Sequence, residues 1–136
     1  MKKVLFICTG NTCRSPMAEA LFNKYCAENG IDAVADSAGI AAAKGMPASE
    51  NSVAVMAEIG VDLSGHSAKP ISRELLVGAD LIVCMSEGHA EMLKAAGFSA
   101  MVLGGGIAAP YGYAINVYRV CRDKMAEMMP SLAEKL

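Results

Sequence analysis

Lys3-Val4-Leu5-Phe6-Ile7-Cys8-Thr9-Gly10-Asn11-Thr12-Cys13-Arg14-Ser15-Pro16 is the stretch on which the fold turns. Its first six residues form a continuous apolar, β-rich run, which reads as a short strand buried on both faces. Thr-Gly-Asn then breaks the run as a turn. Ser15-Pro16 opens a helix: Ser suits a cap, Pro suits the first turn, and the nearby acid Glu19 complements the helix dipole. Met17, Leu21, Lys24, Tyr25 and Glu28 continue at helical spacing, and Asn29-Gly30 stops the helix. Further along, residues 33–38 read as a second strand ending at Gly39. Helices are expected over 47–59 and 72–77. The clearest buried strand is 79–85, around Leu81-Ile82-Val83-Cys84. A helix over 86–96, capped by Ser86 and stopped by Gly97, precedes a strand over 100–103. A glycine-rich loop over 104–112 leads to a long helix over 114–135, perturbed at Pro130. Strands alternating with helices predict an α/β fold: a three-layer sandwich with a four-stranded parallel sheet flanked by helices on both faces. In such sheets ligands sit beyond the strand C-termini, which is where the turn after Cys8 falls.

The chain has 136 residues, enough for one hydrophobic core, and is read as a single domain over 1–136. With 54% hydrophobic and 19% charged residues, disorder is excluded. A formal charge of -2 with no basic cluster gives no footprint for nucleic acid or an anionic membrane, so neither is expected as a partner. The apolar run at the N-terminus is too short for a secretory signal, and no run approaches a membrane span. The expected setting is the cytoplasm. The five cysteines (Cys8, Cys13, Cys26, Cys84, Cys121) are odd in number and accompany no secretory signal, which argues against a disulfide framework, and the lack of any C-x-x-C removes metal-ligand spacing. With His66 and His89 far apart in sequence, no metal site is expected.

The segment Cys8-x5-Arg14-Ser15 carries chemistry for a physical reason. A tight turn leading into a helix N-terminus gathers main-chain N–H groups of Thr9, Gly10, Asn11, Thr12 and Cys13 into an anion cradle. Gly10 permits the sharp turn. Arg14 presents a planar fork of donors to two oxygens of a phosphate-like anion, which Lys cannot do. The field of the cradle favours a thiolate at Cys8, and the Ser15 hydroxyl is placed to donate to it. The implied reaction is in-line attack of sulfur on phosphorus, giving a phosphocysteine that water hydrolyses. A buried cysteine at a strand end is common, and a bare C-x5-R arises by chance. Here the match also ends in Arg-Ser-Pro, follows a strand and opens a helix. Other phosphate loops fail: G-x-x-x-x-G-K-[ST] is absent, and Gly104-Gly105-Gly106 is not G-x-G-x-x-G.

Cys8-Thr9-Gly10-Asn11-Thr12-Cys13-Arg14-Ser15-Pro16-Met17-Ala18-Glu19 resembles the signature of the low-molecular-weight protein-tyrosine phosphatase family. The resemblance continues through Ser37-Ala38-Gly39, Gly60-Val61, His66, Ala79-Asp80-Leu81-Ile82 and Pro110-Tyr111-Gly112. It implies a phosphoprotein phosphatase with Cys8 as nucleophile, Arg14 on the phosphate and the transition state, and Ser15 assisting the thiolate. Asn11 would hold the loop in shape, with Ser37 and His66 in the supporting hydrogen-bond network and Tyr111 lining the substrate slot. The implied partners are phosphorylated protein side chains and phosphate or a similar oxyanion; no cofactor is implied. Thr12 is shared with bacterial protein-arginine phosphatases, whereas members acting on phosphotyrosine usually carry a bulkier aliphatic residue there. The resemblance also makes Cys13 a partner for a reversible disulfide with Cys8.

One position departs from the pattern. The family has Asp before the late Pro-Tyr, as general acid for the leaving group and then base for water. Here that position is Ala109, and no Asp or Glu occurs between Glu91 and Asp123. The expectation is intact anion binding with impaired turnover. Two alternatives stand beside it: a catalytically weak module that binds phosphorylated side chains, and a thiol-dependent arsenate reductase, for which no nearby cysteine pair is evident. His89 is expected to face solvent, Cys26, Cys84 and Cys121 to fill the core, and Tyr113 to narrow the entrance.

Overall fold

In a computed structural model, residues 1–110 and 112–136 are described; Tyr111, expected in the substrate slot, lies outside them. The strands are β1 (Lys2–Cys8), β2 (Ala33–Gly39), β3 (Leu81–Cys84) and β4 (Met101–Val102). The helices are α1 (Arg14–Asn29), α2 (Glu50–Ala57), α3 (Arg73–Gly78), α4 (Glu87–Ala95), α5 (Ile115–Ala126) and α6 (Met129–Ala133). The strands form one parallel sheet in the order β2-β1-β3-β4. This is the expected α/β architecture.

Alternation along the central strands assigns the two faces. Val4, Phe6, Cys8 and Val83 pack with Met17 and Phe22 of α1, Val55 and Met56 of α2, Met125 of α5 and Leu132 of α6. Leu5, Ile7, Ile82 and Cys84 pack on the other face with Leu76 of α3 and Leu93 of α4. Because β1 and β3 are buried on both faces, they read in sequence as unbroken apolar runs.

Several boundaries differ from the sequence expectation. The helix expected over 47–59 starts at Glu50, because Ser49 is the cap and accepts from the Ser52 N–H. The long helix expected over 114–135 is two helices. Pro130 has no N–H to give the Ala126 carbonyl and its ring would crowd that oxygen, so α5 ends at Ala126 and Pro130 sits in the first turn of α6. Ser15 does not cap α1: Cys13 is the N-cap position, no side chain caps it, and Glu19 lies past the first turn.

The order 2-1-3-4 has its topological switch between β1 and β3. The chain leaves β1 towards β2 and leaves β3 towards β4, so a crevice opens beyond the C-termini of the two middle strands. Ile7 pairs with Cys84 in register. The segment after Cys8 and the N-terminus of α4 therefore meet in space at that crevice.

Candidate active site

Residues 8–14 form a loop closed around the Cys8 sulfur. Asn11 is its keystone. It is fully buried and left-handed, with φ of 56°, a conformation that Asn tolerates better than most residues. Its Oδ1 accepts the Lys69 N–H at 3.0 Å, which fixes the orientation of the amide. Its Nδ2 then donates to Ser15 Oγ at 2.8 Å and to Ser37 Oγ at 2.9 Å. The Asn11 carbonyl accepts from His66 Nε2 at 2.7 Å, so that nitrogen carries the proton.

Donation runs in a defined direction through this network. Ser37 Oγ gives its hydrogen to Glu19 Oε1 at 2.6 Å. Burial raises the Glu19 carboxyl above its ordinary value, and the Ser37 bond works against that rise. Ser15 Oγ, already an acceptor from Asn11, is 2.8 Å from Cys8 Sγ and directs its hydrogen there. The Asn11 N–H also points at the sulfur, at 3.2 Å. Two donors thus converge on a sulfur that is nearly enclosed, an arrangement that stabilises negative charge on it. Because α1 starts at Arg14, its first N–H groups lack acceptors within the helix and add to the anion cradle.

Arg14 is half-buried at the rim, and its Nη1 donates to the Ile107 carbonyl at 2.9 Å. Ile107 is buried and its N–H is held by the Met85 carbonyl at 2.8 Å. One guanidinium nitrogen is thereby anchored to the late loop, and the remaining N–H donors of the group are of the kind that bind an oxyanion. Two more backbone bonds brace the loop from the β2 side: Ala41 N to Thr9 O and Ser49 N to Thr12 O, both 2.9 Å. Cys13 faces away towards α5, with its sulfur 3.4 Å from Ser49 Oγ and 3.8 Å from Tyr118 Oη. Ala109 is exposed, two residues beyond the Ile107 anchor.

A family model described as Low molecular weight phosphotyrosine protein phosphatase matches residues 3–136. The chain belongs to this family. The protein-arginine-phosphatase of Bacillus subtilis (strain 168) is 33% identical over 144 residues, spanning 98% of this chain and 95% of that protein. A crystal structure of a low molecular weight protein tyrosine phosphatase from T. tengcongensis superposes with a TM-score of 0.93 at 39% identity, covering 100% of both chains. The YwlE arginine phosphatase, solved as a mutant with a phosphorylated active-site serine, gives 0.91 at 31% identity over 98% of this chain and 95% of that one. The low-molecular-weight phosphatases are hydrolases of phosphotyrosine and phosphoarginine that use a cysteine nucleophile.

In this phosphatase several of the residues expected from sequence at the site are joined by hydrogen bonds. Cys8, Asn11, Ser15, Ser37 and His66 form one hydrogen-bonded cluster, while Arg14 bonds the Ile107 carbonyl and Cys13 faces α5. His89 is a correction. It was expected to face solvent, yet it is buried against the loop, with Nε2 2.9 Å from Thr9 Oγ1. The reason is the β1–β3 adjacency, which brings the first turn of α4 onto the loop. Glu19, read from sequence as a dipole acid, instead terminates the chain of donors through Ser37.

Proposed function

We propose that this phosphatase captures phosphorylated protein side chains in the loop from Cys8 to Ser15 and turns them over slowly, because Ala109 stands where the general acid belongs. The observation that carries the reading is the convergence of Ser15 Oγ and the Asn11 N–H on Cys8 Sγ at the start of α1. In the first step Sγ attacks phosphorus in line, the bond from phosphorus to the substrate heteroatom breaks, and the leaving group departs with its electron pair. Arg14 and the main-chain amides of residues 9–13 hold the phosphoryl oxygens. In the second step water attacks phosphorus, the thiolate leaves, and Ser15 stabilises it. Asn11, Ser37 and His66 keep the loop in shape.

At position 109 a methyl group can neither protonate the leaving group nor activate water. General acid–base assistance typically contributes about 10²–10⁴-fold in rate. Poor leaving groups suffer most from its loss. Thr12 and the similarity to arginine phosphatases favour phosphoarginine over phosphotyrosine as substrate. The five free cysteines fit a reducing, cytoplasmic setting. Among the described residues no helix is long and apolar enough to cross a membrane.

The test is a paired assay of the native chain and Ala109→Asp on an aryl phosphate, a phosphotyrosine peptide and a phosphoarginine peptide. The carboxylate should raise turnover by about 10²-fold or more on the peptides and less on the aryl phosphate. Equal rates for the two proteins would overturn the account of Ala109. Activity surviving Cys8→Ser would remove the nucleophile. Peptide binding with no turnover by the native chain would favour the second reading, a phospho-side-chain binding module, for which Ala109 is the support.

A further inference from the structure

Beside the loop, one buried side chain is only half accounted for. His89 is 8% exposed. Its Nδ1 is enclosed and has no hydrogen-bond partner among the described residues, while Nε2 lies 2.9 Å from Thr9 Oγ1. Burial, and secondarily the positive charge of Arg14, lower its pKa from the ordinary value. The ring is therefore neutral near neutral pH and carries a single proton.

Two tautomers fit that composition. With the proton on Nδ1, a buried N–H is left without an acceptor. With the proton on Nε2, it is donated to Thr9 Oγ1 and Nδ1 keeps only a lone pair. Orphaned buried N–H groups are rarer in folded proteins than under-satisfied acceptors, so the second tautomer is favoured. It has a consequence for Thr9. A hydroxyl that already accepts from His89 must send its own proton elsewhere. Thr9 is the exposed residue of the loop, adjacent to Cys8, and its carbonyl is occupied by the Ala41 N–H.

We propose that Thr9 and His89 form an additional oxyanion-positioning pair: His89 Nε2–H fixes the Thr9 side chain, and the Thr9 hydroxyl donates into the mouth of the loop, to a non-bridging oxygen of the bound phosphoryl group. Thr9 then contributes its side chain to the cradle as well as its main-chain N–H. His89 touches no substrate and acts through Thr9 as a positioning residue. The pair exists because β1 and β3 are neighbours: the loop after one and the capped first turn after the other share the crevice. Ser86 holds that turn by accepting the His89 N–H at 3.3 Å.

The inference rests on reading the loop as a phosphate site, and the test separates the two. Inorganic phosphate binding is measured by titration calorimetry on the full chain, on Thr9→Val, His89→Leu and His89→Gln, and on the double variant Thr9→Val/His89→Leu. Each of the first two should weaken binding by about tenfold, the size of one hydrogen bond to a charged group. The double variant should bind no more weakly than Thr9→Val alone, because the two side chains act as a unit. His89→Gln, whose amide can donate from near the Nε2 position, should stay within about threefold of the native chain. Long-range proton–nitrogen spectra of the histidine ring should show a proton on Nε2 and none on Nδ1, the tautomer the pair requires. Unchanged binding in Thr9→Val, additive losses in the double variant, or a proton on Nδ1 would each overturn the pair. Should His89→Leu not fold, Thr9→Val and the ring spectra decide. Absence of phosphate binding by the native chain would instead remove the phosphate-site reading and this inference with it.

Discussion

Gly39 lies so close to Thr9 that a Cβ built on it would stand 2.6 Å from the Thr9 carbonyl oxygen, and 3.0 Å from the Asn11 nitrogen. Gly39 is paired with Cys8 in the β1–β2 register, so the end of β2 is the floor on which the loop rests. The Ala42 Cβ stands 2.9 Å away as well, and none of these three atoms can rotate away. Gly39→Ala should therefore displace the loop itself. The expected cost is about 1–3 kcal/mol of overpacking, read by urea denaturation, together with weaker phosphate binding. Native affinity in a fully folded Gly39→Ala protein would show that the loop tolerates a shift of its floor.

Ser15→Ala removes one of the two donors aimed at the Cys8 sulfur. A hydrogen bond to a charged group contributes about 1.5–3 kcal/mol, which is roughly ten- to a hundredfold in rate if it acts on the leaving thiolate. Steady-state kinetics on an aryl phosphate should show a lowered kcat with KM little changed. A rise in KM alone would mean that Ser15 serves binding and not the sulfur.

Asn11→Ala leaves the Ser15 hydroxyl, the Ser37 hydroxyl and the Lys69 N–H without their common partner, and keeps a residue at φ of 56° without a side chain to justify it. The expected loss is about 2–4 kcal/mol of stability, with phosphate binding abolished. Urea denaturation gives the first number and calorimetry the second. A stability loss below about 1 kcal/mol would show that the network is not what holds the loop.

Glu58 supplies a pH-dependent contribution remote from the site. Hydrogen bonds from Arg119, and then from Arg122, hold its carboxyl at about 2, below its ordinary 4.5. With the folded value depressed, the ionised form favours folding. That contribution is complete above 4.5 and is lost as pH falls through about 2. Glu58→Gln should melt at a lower temperature than the native chain near neutral pH, with the two curves meeting at the acid end. A constant difference across that range would assign the effect to packing.

The loop was legible in the sequence because its chemistry is local: strand, turn, arginine and helix start follow one another without interruption. Ser37 and His66 came from the family resemblance, since their spacing from Asn11 says nothing by itself. His89 was misread because its burial depends on which strands are neighbours, and an alternation of strands and helices does not fix their order. The α5–α6 break was anticipated only as a perturbation; its position follows from the carbonyl that Pro130 would have had to crowd. Tyr111 lies outside the described residues.

Arg14 holds the late loop by the Ile107 carbonyl, two positions short of Ala109 and without the help of whatever side chain stands there. The anchor of the late loop therefore does not depend on the side chain at position 109. Alanine and aspartate codons can differ by a single base. On the proposed reading of Ala109, an aspartate placed there would find its loop already anchored through main chain, so capture and hydrolysis would differ by one side chain and not by a rebuilt site.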